Sequence, residues 1–142
     1  MPVTPRSYAT RSPAPSSDSS VYAYNTDAQG YYGENRKEYP PRIYGWMKTD
    51  AAGRFELRTI RPGSYPDMQV PAHIHFVLWG GGCPLQWTEE LKFEGDRYLT
   101  PDALTVDAQL GDFHTIQRLT REEGEMLHCS FKIKLQHETN FH

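Results

Sequence analysis

No stretch of this 142-residue chain sustains the 3.6-residue apolar period of an amphipathic helix, and that constrains its fold more than any other feature. What recurs instead is a short run of β-branched and aromatic residues closed by a turn. Val21-Tyr22-Ala23-Tyr24-Asn25 suits a strand. Thr26-Asp27-Ala28-Gln29-Gly30 follows with turn chemistry, because an Asp carboxylate accepts backbone N–H groups and Gly takes positive φ. The device repeats at Thr49-Asp50-Ala51-Ala52-Gly53, and its flanks, residues 43–47 and 55–60, read as a β-hairpin. Ala72-His73-Ile74-His75-Phe76-Val77-Leu78-Trp79 is the strongest strand candidate, ended by Gly80-Gly81-Gly82. A short strand is expected near residues 91–93 and a brief helical turn around residues 121–126. Residues 130–136 alternate apolar and polar, as a half-buried strand does. With 11 Gly and 11 Pro as punctuation, the expected fold is all-β, a β-sandwich of short strands and long Gly/Pro-rich loops.

The length allows one domain. Fifteen basic against 18 acidic residues give a net charge of −3, which argues against nucleic acid or an anionic membrane as partner. No apolar run reaches the length of a membrane span. Residues 1–20 are rich in Ser, Pro and Thr and lack the apolar core of a secretory signal. They read as a flexible leader ahead of a domain over residues 21–142. Cys83 and Cys129 are two cysteines, too few for a disulfide framework, and read as ordinary thiols of a reducing compartment, the cytoplasm.

His73 and His75 carry the chemistry. Residues i and i+2 of a strand share a face, so the two imidazoles converge while Ile74 points the other way. An isolated pair of this kind suits a solvated strand face as well as a metal site. The residues after His75, namely Val77, Leu78 and Trp79, include no carboxylate, so a two-histidine, one-carboxylate triad lacks a local third member. Tyrosine is more plentiful: nine in all, with Tyr65 in the Pro-rich loop just upstream. A phenol is protonated at neutral pH, but a trivalent cation displaces its proton. Two phenolates and two imidazoles suit Fe(III).

Three ordered motifs add to this reading. Asp27-Ala28-Gln29-Gly30-Tyr31-Tyr32 comes first. Gly53-Arg54-Phe55 then leads into Arg58-Thr59-Ile60-Arg61-Pro62-Gly63-Ser64-Tyr65-Pro66, and Pro71-Ala72-His73-Ile74-His75 closes the series. Together they resemble the intradiol ring-cleavage dioxygenase family, over about residues 21–135 and most strongly over residues 27–76. The resemblance implies a transthyretin-like sandwich and non-haem Fe(III) held by Tyr32, Tyr65, His73 and His75. It further implies a catechol-type substrate cleaved by O2 between its two hydroxylated carbons to a cis,cis-muconate, and a homo-oligomer. Tyr31, beside Tyr32, is expected to pack.

The chain also departs from the family pattern. Val70 stands where the family usually has an Arg three residues before the first ligand histidine; Arg61 and Arg42 are the candidates to take its place. Glu90 stands where a Gln is usual, unless a gapped alignment brings Gln86 to the site. The alternative for Glu89 and Glu90 is a solvated edge. Trp79 either walls the substrate pocket or packs in the core, and Trp46 and Trp87 are expected to pack. His114, His128, His137 and His142 are expected to be surface or structural histidines. Residues 1–20 do not resemble the strand and turn that open the family domain. Two rivals follow: a non-catalytic sandwich that holds metal or an aromatic ligand, and a zinc hydrolase built on the two histidines.

Overall fold

The structure, a computed structural model, describes residues 2–10, 18–121 and 124–136. Two β-sheets face each other across one apolar core. The first has the order β10 (Thr120–Arg121), β11 (Leu127–Lys134), β1 (Pro2–Thr10) and β4 (Arg54–Glu56), with β5 (Thr59–Ile60) also on β1. The second runs β3 (Ile43–Lys48), β2 (Ser19–Asn25), β6 (His73–Gly80), β8 (Leu91–Phe93), β9 (Ile116–Gln117), with β7 (Cys83–Trp87) also on β6. The chain is thus the all-β sandwich expected.

Alternation along the strands builds the core. Val21 and Ala23 of β2, Ile74, Phe76 and Leu78 of β6, and Leu91 and Phe93 of β8 point inward from one sheet. Phe55, Cys129, Phe131 and Ile133 meet them from the other. The sheets lock at Phe76, whose ring centroid lies 5.3 Å from Phe131 and 6.0 Å from Phe55. Because β6 has period two, burying Ile74, Phe76 and Leu78 drives His73, His75, Val77 and Trp79 to the outer face.

Four expectations need correction. Pro2–Thr10 is not a flexible leader: it is β1, parallel to β11 from Val3↔Leu127 to Thr10↔Lys134 and antiparallel to β4. Its Ser and Thr content hid it, yet a polar strand is tolerated where both neighbours satisfy its backbone. The rest of that leader, residues 11–17, lies outside the described residues. Residues 43–47 and 55–60 do not form a hairpin either. β3 pairs with β2 (Val21↔Met47) and β4 with β1 (Ser7↔Phe55), so the Asp50 turn carries the chain from one sheet to the other. The turn itself is as expected: Asp50 Oδ1 accepts from the N–H groups of Ala52 and Arg54, both at 2.9 Å, and Gly53 has φ 76°.

The third correction is a helix, α1 (Pro101–Ala108), capped by Thr100, whose Oγ1 accepts from Ala103 N–H at 3.1 Å. Its signal was Thr100-Pro101-Asp102, a cap followed by proline and an acid. Its apolar period is weak because only Asp107 is buried, accepting from Thr115 N–H (2.6 Å) and Ile116 N–H (3.1 Å) to tie the helix to β9. Lastly, Arg121 belongs to β10 rather than to a helical turn, and residues 122–123 of that expected turn lie outside the described residues.

Candidate functional site

β6 presents His73 and His75 on the outer face of the second sheet. Two loops close over them there, one carrying Tyr32 and the other Tyr65. Glycine makes the loops fit. A Cβ on Gly63 would stand 2.4 Å from the Ala28 carbonyl oxygen, and one on Gly30 (φ 93°) would stand 1.9 Å from that of Ser64. Hydrogen bonds stitch the contact: Gly63 N–H donates to Asp27 O and the Thr26 hydroxyl to Gly63 O, both at 2.8 Å. Asp27 Oδ1 accepts from Gln29 and Tyr31 N–H, which sets the turn just before Tyr32. Asp96 Oδ2 accepts from Ala72 N–H at 3.0 Å and fixes the entry to β6.

Four donor atoms therefore converge. Tyr32 Oη lies 2.8 Å from His75 Nε2 and Tyr65 Oη 3.0 Å from His73 Nε2. The two Nε2 atoms are 3.0 Å apart, Tyr65 Oη is 3.4 Å from His75 Nε2, and the two phenol oxygens are in direct contact. His73 Nδ1 is 2.7 Å from the Pro71 carbonyl oxygen and so must donate to it. His75 Nδ1 is 3.3 Å from Glu90 Oε1. With Nδ1 of His73 committed as a donor and Nδ1 of His75 turned to the Glu90 side, both Nε2 atoms face the cluster.

Such a set suits a cation. As neutral groups, two phenols can each donate to one Nε2, but this leaves the two phenol oxygens in direct contact, and two acceptor nitrogens 3.0 Å apart, with no proton between either pair. A cation bound at about 2.0–2.2 Å by each donor turns those repulsions into bonds. Separations of about 3 Å are what adjacent ligands of one ion require. Burial, then the Tyr65 hydrogen bond, holds the Tyr32 phenol far above its ordinary pKa of 10. Burial also raises Tyr65. Burial and the neighbouring His73 push His75 down to about 4, against the opposing pull of Glu90. A neutral His75 imidazole and protonated phenols are thus resting forms, and proton loss from the phenols needs a cation's charge.

Sequence reasoning missed how Glu90 is held. Register supplies it: His73 pairs with Lys92 and Ile74 with Leu91, so the next antiparallel step sets Glu90 opposite His75. It is neither a free solvated edge nor simply a pocket wall. His73, His75 and Glu90 also form a group of three with ligand atoms within 4.8 Å, the carboxylate partner that the local sequence lacked. However, Glu90 sits at Nδ1 of His75, while Nε2 faces the tyrosines.

Other candidates lie elsewhere. Trp79 is four residues along the outer face from His75, about 13 Å at strand rise; it packs edge-on against Trp46 with centroids 5.5 Å apart. It belongs neither to the donor cluster nor to the core. Trp46 and Trp87 are 63% and 66% exposed and lie outside the core, against Tyr22 and Tyr24 respectively. Arg61 lies over the Phe93 ring, and Arg42 pairs with Asp27 at 3.0 Å. Gln86 is tied to the Gln136 backbone, so Glu90 is the residue beside the donors. Val70 is half-buried just before β6.

A cavity of about 420 Å³ opens on the tyrosine side, lined by Tyr31, Tyr32, Tyr39, Tyr65, Arg36 and Met68 among others. Tyr31 thus faces the cavity, with the Arg36 guanidinium 5.8 Å from its ring centroid.

A family model described as Dioxygenase matches residues 10–137. The chain is 34% identical over 101 residues to the protocatechuate 3,4-dioxygenase beta chain of Burkholderia cepacia, a match covering 65% of this chain and 43% of that one. The chain therefore spans less than half of that relative's length. Among solved structures it resembles the dioxygenase domain of a dioxygenase carbohydrate-binding protein fusion from Streptomyces sp. SirexAA-E. There the TM-score is 0.69 at 24% identity, covering 96% of this chain and 80% of that one. It also resembles 3-chlorocatechol 1,2-dioxygenase from Rhodococcus opacus 1CP, with TM-score 0.72 at 22% identity, covering 94% and 59%. The ordered motifs, the sandwich and the family match agree: the chain belongs to the intradiol ring-cleavage dioxygenases.

Proposed function

We propose that the chain is a non-haem Fe(III)-dependent dioxygenase that opens a catechol-type ring between its two hydroxylated carbons. The observation that carries this is the convergence of Tyr32 Oη, Tyr65 Oη, His73 Nε2 and His75 Nε2. Those four residues would hold the iron. Ferric iron, when bound, supplies Lewis acidity that draws electron density from the diol and readies its ring for O2. Two phenolates favour the ferric state over a divalent ion, and that argues against the zinc hydrolase.

The chain's own residues do the rest. Tyr65 borders two cavities, of about 420 and 530 Å³, so the diol approaches on its side. Once the Tyr65 proton has been displaced by a cation, the Tyr65 oxygen would be the base that takes one diol proton. Pro71 O, through His73 Nδ1–H, fixes one imidazole in a single tautomer. Tyr39, stacked on Tyr32 with centroids 5.8 Å apart, and Met68 form walls that limit water at the mouth. The ring carbon–carbon bond breaks, and both atoms of O2 end in the product, a cis,cis-muconate. Two thiols, neither in a disulfide, fit a cytoplasmic setting. The homo-oligomer expected of the family is part of the same proposal, checked by sedimentation velocity.

Val70, Arg42 and Arg61 favour a second reading, a non-catalytic domain that binds a metal and a diphenol. Val70 offers no cation, and both arginines are engaged with other groups. Oxygen uptake by the iron-loaded chain with a panel of catechols decides. Consumption of one O2 per diphenol with a muconate as product supports the enzyme; binding without uptake for every diphenol tried supports the second reading.

A further inference from the structure

We propose that Glu90 is a positioning residue for the metal: its carboxylate holds His75 by Nδ1–H, aims Nε2 at the donor cluster and raises that imidazole's donor strength. The inference rests on the reading of His75 as an iron ligand.

The geometry is over-determined. His75 sits on β6 between two cross-strand neighbours. On the β2 side, Tyr24 is its register partner, and the rings stack at 4.7 Å with 15° between planes. On the β8 side, Glu90 Oε1 reaches Nδ1 at 3.3 Å. The stack fixes the ring plane; the carboxylate fixes which edge of the ring faces inward and which nitrogen carries the proton. Lys92 Nζ lies 3.8 Å from the other oxygen, Oε2. His73 obtains the same orientation from a neutral acceptor, the Pro71 carbonyl. The two imidazoles are therefore unequal: one is polarised by a neutral carbonyl, the other by an anion. An anionic acceptor leaves more electron density on Nε2. The metal is then a weaker Lewis acid than an amide at position 90 would leave it, and its tyrosinate absorption lies at shorter wavelength.

The test uses the full chain and compares wild type with Glu90→Gln and Glu90→Ala. Metal-free protein is read by 15N–1H correlation of the His75 ring. Wild type is expected to carry its proton on Nδ1, Glu90→Gln to keep that tautomer, and Glu90→Ala to lose its dominance. Ferric loading is then followed by bound iron and visible absorption. Glu90→Ala is expected to bind iron about 10–100-fold more weakly. Glu90→Gln is expected to rescue binding, with the tyrosinate band moved to longer wavelength. An unchanged band in Glu90→Gln, or an unchanged tautomer and affinity in Glu90→Ala, overturns the proposal. A wild type that shows the Nδ1–H tautomer yet takes up no iron overturns the reading of the ligands, and the donor-strength claim with it.

Discussion

At the scale of single residues, the central point is that four side chains from three segments of sequence supply one set of donors. Removing one should empty it. Tyr32→Phe or His73→Ala is expected to leave a folded chain that retains less than about a tenth of the wild-type iron, measured by metal analysis after gel filtration. Iron retention by either variant would mean that the residue is not a ligand. Proton balance gives a second outcome. Both phenols rest protonated, so ferric loading must release protons, and affinity must rise with pH; a pH-indicator titration reads this directly. The four candidate ligands are legible in the sequence because their motifs are local and ordered. The hold of Glu90 on His75 is not, because it depends on the cross-strand register of β6 with β8. The displacement of Trp79 is hidden for a related reason: the sequence shows that it shares a face with His75, but not how far along that face the loops extend.

At the scale of elements, the site depends on two loops that approach more closely than any side chain permits. Gly63→Ala puts a methyl group 2.4 Å from a backbone oxygen. The loops must part, at a cost of about 1–3 kcal/mol of stability, and iron binding should fall further than stability does. Equilibrium urea unfolding alongside metal analysis separates the two effects; equal iron affinity in the variant would mean the loops do not set the distance between Tyr32 and Tyr65. The strands that carry a hydrophobic alternation, β2, β6, β8 and β11, can be read from the sequence. β1 cannot, since its polar run shows no apolar alternation in the sequence. The crossing at Asp50 cannot either: an Asp–Gly turn between two apolar runs reads the same whether the runs pair with each other or diverge into opposite sheets. Helix α1 has a cap but almost no buried face, so periodicity is silent where capping is not.

At the scale of the whole molecule, the sandwich is locked by Phe76 and closed by β1. Phe76→Ala is expected to cost about 3–5 kcal/mol, a large share of the roughly 5–15 kcal/mol typical of a domain. Deleting residues 1–10 takes away the strand between β11 and β4, so the truncated chain is expected to lose its cooperative thermal transition; an unchanged transition would show that β1 is dispensable. Alkaline pH acts on the same core. Burial pushes the Cys129 thiol from 9 up to about 12. Between those values the unfolded chain ionises and the folded one does not, so its contribution to stability is present below pH 9 and lost as pH rises towards 12. The urea midpoint should therefore be lower at about pH 10.5 than at about pH 8, and the drop should be smaller in Cys129→Ala. The sandwich holds His73 and His75 rigidly on one face and leaves the tyrosines to the loops, an arrangement that suits binding a metal and then admitting a diol beside it. The visible absorption spectrum of the iron-loaded chain, before and after anaerobic addition of catechol, tests this most directly. The account predicts a coloured protein whose tyrosinate band shifts when catechol is added. A chain that stays colourless after loading with ferric iron would contradict it.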